Sequence, residues 1–356
     1  MTSKFLLLLC LIGIDLQVQA QQPRIVVQHA GNVQVYTDLT AAITAANANA
    51  ELYLSGGSFL VPGGFALDKT LHFIGAGIHP DSSGATGPTI LTTDGSAYFR
   101  LTTGANGSSF TGIRFHTPGS TTCFGLGTGA GDQNVVSVEF HRCVFQQIVR
   151  LGVEEPCAGS AQFVECIFHA QVNGYGSQGH FTRCIFDWVP STATGTINMF
   201  RPTGLHLNSC VILGGLVANT QGSTIQNCVF TRQNGAPFWQ GHTTTISNCL
   251  IGYTELTSNS SAVTEANNIM GVPLNAFFQY ELDNKYQFSD NLRLLGTSAG
   301  AGAATDGTDI GIYGTGSPYK DGAMPHVPHF RQVDVAPGTD ANGNLPVQVK
   351  VAAQAN

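Results

Sequence analysis

One short pattern of apolar and polar positions recurs six times between residues 138 and 251. It has an apolar residue, two mostly polar residues, a cysteine, an aliphatic residue and a second apolar residue, as in Phe140-His-Arg-Cys-Val-Phe145. The cysteines are Cys143, Cys166, Cys184, Cys210, Cys228 and Cys249. Their successive separations are 23, 18, 26, 18 and 21 residues, and a cysteine-free copy runs from Phe110 to Phe115. A fixed core pattern with spacers of varying length predicts a solenoid whose rungs carry loops of different lengths.

The flanking sequence predicts further strands and one helix. Runs of apolar and β-branched residues predict strands over 25–27, 33–36, 52–54, 58–61 and 71–74. Asp38 precedes apolar residues at helical spacing and predicts a capped helix from Leu39 to Ala46. Residues 253–265 are predicted to be a loop, and 286–288 and 292–294 are predicted to lie in a further rung or two. The chain ends in a predicted hairpin with strands 330–335 and 347–351, joined across 340–344.

Four stretches near the N-terminus resemble the entry to the right-handed parallel β-helix of the pectin-lyase-like superfamily. They are Tyr36-Thr-Asp-Leu-Thr-Ala-Ala-Ile43, Glu51-Leu-Tyr-Leu54, Gly57-Ser-Phe59 and Lys69-Thr-Leu-His-Phe-Ile-Gly-Ala-Gly77. A later stretch, Asp306-Gly-Thr-Asp-Ile-Gly-Ile-Tyr313, resembles the phrase that closes the last coil of many bacterial β-helix proteins. The resemblance covers about residues 36–313. It implies an all-β fold, a right-handed parallel β-helix with a short N-terminal capping helix and a C-terminal β appendage.

The first 20 residues and the composition indicate where such a chain works. Lys4, the apolar run from Phe5 to Ile14 and the small-residue site Val18-Gln-Ala20 predict a secretory signal peptide over 1–20, followed by the β-helix over 21–315 and the appendage over 316–356. We therefore expect a secreted, periplasmic or cell-surface protein. The apolar run is too short to span a membrane. Only 10% of residues are charged and the net charge is −7, which argues against nucleic acid as a partner. The oligomeric state stays open.

Nine cysteines in an exported chain first suggest disulfides. The six that share one position of the repeat are instead expected to form a buried, reduced column, because stacked rungs align them between apolar neighbours. Cys123 and Cys157 lie outside the pattern. The sequence leaves open whether these two form a bridge.

Stacked rungs also align polar residues in columns, and the candidate functional residues come from these columns. Gln146, His169 and Asp187 each stand three residues after a cysteine and are expected side by side on an outer face. A carboxylate next to an imidazole there would make an acid/base pair. His180 and His206 each stand four residues before a cysteine and are expected to face solvent. They are candidate binding residues, since two stacked histidines could bind a metal ion, and the alternative is an ordinary polar column on the outside of the solenoid.

The residues directly before the first three cysteines, Arg142, Glu165 and Arg183, alternate in charge. We interpret them as exposed ion pairs that each contribute about 0–1 kcal/mol to stability. The alternative interpretation makes Arg183 a catalytic arginine. Trp188 lies in a loop between rungs, where its ring either stacks on sugars or packs locally. Asp306 is expected to form a turn. No cofactor and no metal ion are predicted.

An aliphatic column that includes Val144, Ile167 and Ile185 follows the cysteines. It cannot face the core of regular strands together with the cysteine and phenylalanine columns, because successive side chains point to opposite faces. Either a turn distorts the alternation or the column lies on the outside. An outer apolar stripe needs a cover, supplied by the C-terminal appendage or by a partner chain.

The catalytic motifs of the resembled superfamily are missing. The Trp-Ile-Asp-His and Arg-x-Pro-x-x-Arg runs of its pectate lyases do not occur, and neither do the paired aspartates and the Gly-His-Gly run of its polygalacturonases. No catalytic residue is therefore carried over. The sequence favours an exported carbohydrate-associated or surface module without a recognisable catalytic site, with extracellular polysaccharide as its expected partner. The alternative is a divergent polysaccharide lyase or glycoside hydrolase that uses His169, Asp187 and Arg183.

Overall fold

The chain winds into a parallel β-helix, a solenoid in which each complete rung adds one strand to each of three sheets. The computed structural model describes residues 23–352 apart from 80–86, 96, 191–194, 201, 203, 282, 322–328, 337 and 341. The predicted signal peptide lies outside the described residues. Within them, no helix has the length and apolar character needed to cross a bilayer.

Three long sheets form the walls, and the order of their strands follows the order of the rungs. Sheet A contains Asn32–Tyr36, Ile25–His29, Ala50–Leu54, Leu71–Ile74, Ser109–Thr111, Val138–His141, Ser160–Val164, Gln178–Thr182, Leu205–Asn208, Thr224–Gln226, Thr245–Ser247 and Thr264–Ala266. Sheet B contains Gly57–Val61, Thr89–Thr93, Ile113–Phe115, Val144–Phe145, Ile167–Phe168, Ile185–Phe186, Val211–Ile212, Val229–Phe230 and Leu250–Ile251. Sheet C contains Ala66–Leu67, Phe99–Leu101, Thr122–Leu126, Ile148–Arg150, Val172–Asn173, Ile197–Phe200, Val217–Gln221, Phe238–His242 and Thr257–Ser258.

The N-terminal end carries the predicted helix and strands. The helix runs from Leu39 to Ala45, and the Asp38 side chain accepts a hydrogen bond from the backbone N–H of Ala41 at 2.7 Å, so the predicted cap is confirmed. Leu39, Ala42 and Ile43 are buried in the main core, which explains why the apolar positions of this short helix have helical spacing. Three 3₁₀ turns are also present, at Thr103–Ala105, Ala130–Asp132 and Leu274–Ala276.

A left-handed residue directly before each cysteine turns the chain from sheet A into sheet B. The backbone φ at these positions is between 50° and 56° in every rung that contains the cysteine. The residues are Arg142, Glu165, Arg183, Ser209, Asn227 and Asn248. Asparagine tolerates this left-handed conformation well. The same turn is also made by residues with a larger backbone penalty in this conformation.

The two phenylalanine columns and the cysteine column fill the interior. Phe140, Phe163 and Phe181 stack from rung to rung with ring centroids 4.8 Å apart, close to the spacing of neighbouring strands. All six repeat cysteines are buried and free. The Sγ of Cys166 donates to the carbonyl oxygen of Phe140 at 3.5 Å and accepts from the N–H of Cys143 at 3.4 Å. The buried, reduced column is confirmed, and a weak hydrogen-bond ladder satisfies it.

A second apolar core lies outside sheet B. The aliphatic residues between each cysteine and the following apolar residue point outward and are buried beneath residues 272–319, which we call the cover segment. The buried side chains that the cover segment contributes are Val272, Phe277, Phe278, Leu292, Leu294, Ala304, Ile310, Ile312 and Tyr319. The column of Val144, Ile167 and Ile185 is thus an outer stripe, and a segment of the same chain covers it. This segment mostly precedes the predicted C-terminal appendage, which was one of the two expected covers besides a partner chain.

Two local predictions between residues 253 and 294 are wrong. Asn291–Leu294 pairs antiparallel with Phe278–Tyr280 in the cover segment and is not part of a rung. Residues 253–265, predicted to be a loop, contain the strands Thr257–Ser258 and Thr264–Ala266 of the last rung. In that rung Glu265 is the register partner of Ile246, which occupies an interior column. The Asn268 Oδ1 atom accepts a hydrogen bond from the N–H of Cys249, in the way that the Sγ of the next cysteine does in earlier rungs. Polar residues end the interior columns, which weakens the apolar periodicity.

The predicted C-terminal hairpin is confirmed. Its strands are His329–Val335 and Val347–Ala352, paired antiparallel. Asp340 holds the connection, since its Oδ1 accepts hydrogen bonds from the N–H groups of Asn342 and Asn344 at 2.9 and 2.8 Å.

Candidate functional site

The structure brings His169 and Asp187 together, as their shared position in the repeat predicts. They follow the neighbouring strands Ile167–Phe168 and Ile185–Phe186, and His169 Nδ1 lies 2.7 Å from Asp187 Oδ2. The side chain of His169 is 26% exposed, whereas that of Asp187 is 3% exposed. The pair is therefore an imidazole at the surface that is held by a buried carboxylate.

Asp187 is buried because the cover segment passes over it. The same Oδ2 atom accepts a hydrogen bond from the backbone N–H of Tyr286 at 3.0 Å, and the Asp187 carbonyl oxygen accepts from Lys285 Nζ at 3.0 Å. The expectation that this column lies open on an outer face is wrong for Asp187, since the cover segment occupies that face. The contacts show that Asp187 anchors the cover segment to sheet B and also orients His169.

Arg183 does not join this pair. It makes the turn before the strand Ile185–Phe186, whereas Asp187 follows that strand at its other end. Its Nε donates to Glu165 Oε1 at 3.3 Å, and Arg142 Nε donates to Glu165 Oε2 at 2.7 Å. The charge alternation predicted from the sequence is confirmed.

The predicted exposure of this charge ladder is wrong. The side chains of Arg142 and Glu165 are 7% and 5% exposed, because the cover segment reaches them. Burial raises the pKa of Tyr319 in the cover segment well above its usual range, and the negative charge of Glu165 adds to this effect. The Arg142–Glu165–Arg183 triad, as we call it, is thus a buried structural element.

Sheet A presents an open polar face, as the column four residues before the cysteines predicts. Its members Glu139, Gln162, His180, His206, Thr224 and Thr245 are all exposed. The rings of His180 and His206 stack with centroids 4.5 Å apart. Burial lowers the pKa of His180, and the neighbouring His206 lowers it further.

A groove of about 220 Å³ lies on this face. Three successive strands line it, Val138–His141, Ser160–Val164 and Gln178–Thr182, and the lining side chains include Glu139, Gln162, Gln178 and His180. Because equivalent residues on neighbouring rungs repeat at about 4.8 Å, the groove offers hydrogen-bonding groups at regular intervals along the helix axis. Such an arrangement suits an extended, hydroxyl-rich polymer.

Gln146 and Trp188, which the sequence suggests as binding residues, lie away from the groove on sheet A. Both are half-buried. The backbone N–H of Gln146 donates to the Phe115 carbonyl oxygen, and the Trp188 carbonyl oxygen accepts from Thr196 Oγ1 at 2.8 Å. Neither residue lines the groove on sheet A.

Sheet C carries polar residues that the sequence reasoning missed. Asn219 Nδ2 donates to Asn198 Oδ1 at 2.8 Å, and Asn198 Nδ2 donates to Asn173 Oδ1 at 3.3 Å, which forms an amide ladder. Arg150 stands next to Asn173 in register, and its buried Nε has no hydrogen-bond acceptor in the described part of the chain. In the sequence these residues belong to an apolar-polar pair that follows each repeat, as in Val149-Arg150 and Val172-Asn173. The variable spacers obscured this recurrence.

The remaining titratable groups fit structural roles. Cys123 donates to the Gln147 carbonyl oxygen and Cys157 contacts Ser177 Oγ at 2.6 Å, so the two thiols are free and do not form the bridge that the sequence left open. Asp306 accepts from the N–H and the hydroxyl of Thr308, in agreement with its predicted turn role. Among the described residues, no three His, Cys, Asp or Glu side chains cluster in a way that would hold a metal ion.

The comparisons with known proteins add no family. No protein-family model matches the chain, and a search of curated proteins finds no match.

Proposed function

We propose that this chain is an extracellular polysaccharide-binding module that holds an extended glycan along the polar face of sheet A. The groove over three successive rungs is the observation that carries the proposal. It offers amide, carboxylate and imidazole groups at the repeat distance of the solenoid, and these groups suit hydrogen bonding to sugar hydroxyls. The signal-peptide pattern of residues 1–20 supports export, and the N-terminal motifs support a relationship with the pectin-lyase-like superfamily.

Binding is favoured over catalysis because other groups of the chain already occupy the acid/base candidates. Asp187 already accepts from Tyr286 and contacts His169, and its side chain is almost fully buried. Arg183 is paired with Glu165 at the other end of its strand. A glycosidase needs two carboxyl groups about 5–10 Å apart across an accessible bond, and only Glu139 lines the sheet A groove with a carboxylate. The His169–Asp187 contact is the observation that favours the alternative, a divergent lyase or hydrolase.

A glycan array probed with the purified mature protein tests the proposal. We expect binding to a defined class of polysaccharide, and the same glycans incubated with the protein should yield no new reducing ends and no ultraviolet-absorbing product. An absence of binding across neutral, acidic and amino-sugar glycans would overturn the proposal. If product accumulates, the enzyme alternative holds, and His169→Ala tests its site: loss of product places His169 in that site, whereas full retention removes His169 from it.

A further inference from the structure

Among the described residues, two histidines on neighbouring rungs of sheet A have no polar partner. His180 and His206 are register partners on the strands Gln178–Thr182 and Leu205–Asn208, and both side chains are exposed. Their ring planes are 12° apart and their centroids are 4.5 Å apart. In the part of the chain that the structure describes, the only recorded contact of either ring is with the other.

Five other histidines differ in this respect, because a side chain holds each ring. The partners are Ser109 for His72, Gln147 for His116, Glu139 for His141, Asp187 for His169 and Ser261 for His242. A hydrogen-bonded ring nitrogen is committed, whereas a free one is available as a ligand. His180 and His206 therefore stand out as two adjacent imidazoles with uncommitted nitrogens.

We propose that His180 and His206 together bind one divalent transition-metal ion of the kind that prefers imidazole, namely Cu²⁺, Ni²⁺ or Zn²⁺. Metal–nitrogen bonds of about 2.0–2.1 Å place two nitrogens on one ion about 3 Å apart. The stacked rings are 4.5 Å apart at their centroids, so a tilt of their coordinating edges toward each other brings two nitrogens within range. The strands stay in place, because rotation of exposed side chains is sufficient.

The electrostatic surroundings favour this role. Metal ions bind the neutral form of imidazole. The register neighbours on either side are Gln162 and Thr224, so the column brings no cation next to the site. Both neighbours carry oxygen atoms that can bind a coordinated water.

The site would have two protein ligands, in agreement with the absence of any three-ligand cluster among the described residues. Water would complete the coordination sphere, and such open positions leave room for a further ligand. His180 also lines the groove on sheet A. The metal proposal does not depend on glycan binding, because it rests only on the two rings and their neighbours.

Isothermal titration calorimetry of Ni²⁺ and Zn²⁺ into the tag-free mature protein tests the proposal. We expect one ion per chain, and Cu²⁺ should give an electron paramagnetic resonance spectrum with two imidazole nitrogens. His180→Gln and His206→Gln should each weaken binding by at least about tenfold, since a change in a ligand's supporting partner alone costs 10–100-fold. Glutamine is tolerated at this position of the repeat, as Gln162 shows.

His242→Gln is the matched control, because His242 also lies on a strand of the solenoid wall but its ring is held by Ser261. It should bind metal as the wild type does. A wild-type protein that binds no ion would overturn the proposal, as would single variants at His180 and His206 that bind as tightly as the control. Unchanged circular dichroism of the variants confirms that any loss comes from the ligands and not from unfolding.

Discussion

Replacing Glu165 by glutamine tests whether the Arg142–Glu165–Arg183 triad is buried beneath the cover segment. The substitution keeps the size of the side chain and removes its charge. Both guanidinium groups then lose the carboxylate that now lies 2.7 and 3.3 Å from their Nε atoms. The perturbation therefore isolates electrostatics from packing.

The magnitude follows from the burial of the three side chains, which are 7%, 5% and 16% exposed. A pair of unit charges about 4 Å apart attracts by about 4 kcal/mol at an effective dielectric constant of about 20. Desolvation costs several kcal/mol per ion, so the intact triad contributes little net stability. Removing the carboxylate charge takes this attraction away while both arginines stay largely out of water, and we expect a loss of about 3–5 kcal/mol.

Urea unfolding monitored by circular dichroism measures this loss. Long repeat arrays depart from two-state unfolding, so the midpoint of Glu165→Gln is compared with that of a matched control. Glu139→Gln serves as this control, because Glu139 is exposed and, within the described part of the chain, its ion pair is with His141 alone, at 3.5 Å. The control should lose less than about 1 kcal/mol.

A triple substitution distinguishes the effect of the charges on stability from the effect of side-chain packing. It combines Arg142→Met, Glu165→Leu and Arg183→Met. It should recover most of the stability that Glu165→Gln loses, because apolar replacements of a whole buried ion group are often neutral or stabilising. If Glu165→Gln and Glu139→Gln unfold at the same urea concentration, the triad is solvated and the assigned position of the cover segment is wrong.

Three further predictions concern the interior and its turns. Burial raises the pKa of Cys123 to about 12 and raises that of Cys143 and Cys184. The native thiols should therefore not react with Ellman's reagent at pH 8, and rapid labelling without denaturant would contradict the buried column. The free energy of unfolding should also fall as the pH rises above about 8.5, because the thiols of the unfolded chain ionise there while the buried ones do not. Phe163→Ala should cost about 3–5 kcal/mol in urea unfolding, because it removes a fully buried ring from the stack, and a loss below about 1 kcal/mol would argue against that stack. Asn267 is exposed and has a left-handed backbone with φ 54°. Asn267→Gly should therefore change the free energy of unfolding by no more than a few tenths of a kcal/mol, whereas Asn267→Val should lower it by about 1–2 kcal/mol. Equal urea midpoints for the two variants would contradict a left-handed backbone at this position.

The repeat predicts the rungs well because each copy satisfies the same local requirements. A buried apolar residue, a left-handed turn residue and a cysteine fix where the chain leaves sheet A and enters sheet B, and these requirements are local in sequence. The contact between His169 and Asp187 follows from the same alignment, because a parallel register places equivalent residues side by side.

The burial of the candidate site could not be predicted in this way. The apolar alternation around Leu292 and Leu294 is the same whether a strand faces the interior or the outside of sheet B. Periodicity reports that a face is buried, but not against which surface. The exposure of Asp187 and Glu165 depends on a segment about 100 residues later in the chain, as the contact from Tyr286 to Asp187 shows.

Calorimetry with the best-bound glycan of the array tests the central claim, that sheet A holds a polysaccharide, most directly. Gln162→Ala should weaken binding by up to about tenfold, because it removes hydrogen bonds worth about 0.5–1.5 kcal/mol each from the middle of the groove. Ser258→Ala, on an exposed position of sheet C, should bind as the wild type does. Equal affinity of Gln162→Ala and the wild type would contradict the claim and would place the glycan elsewhere on the solenoid.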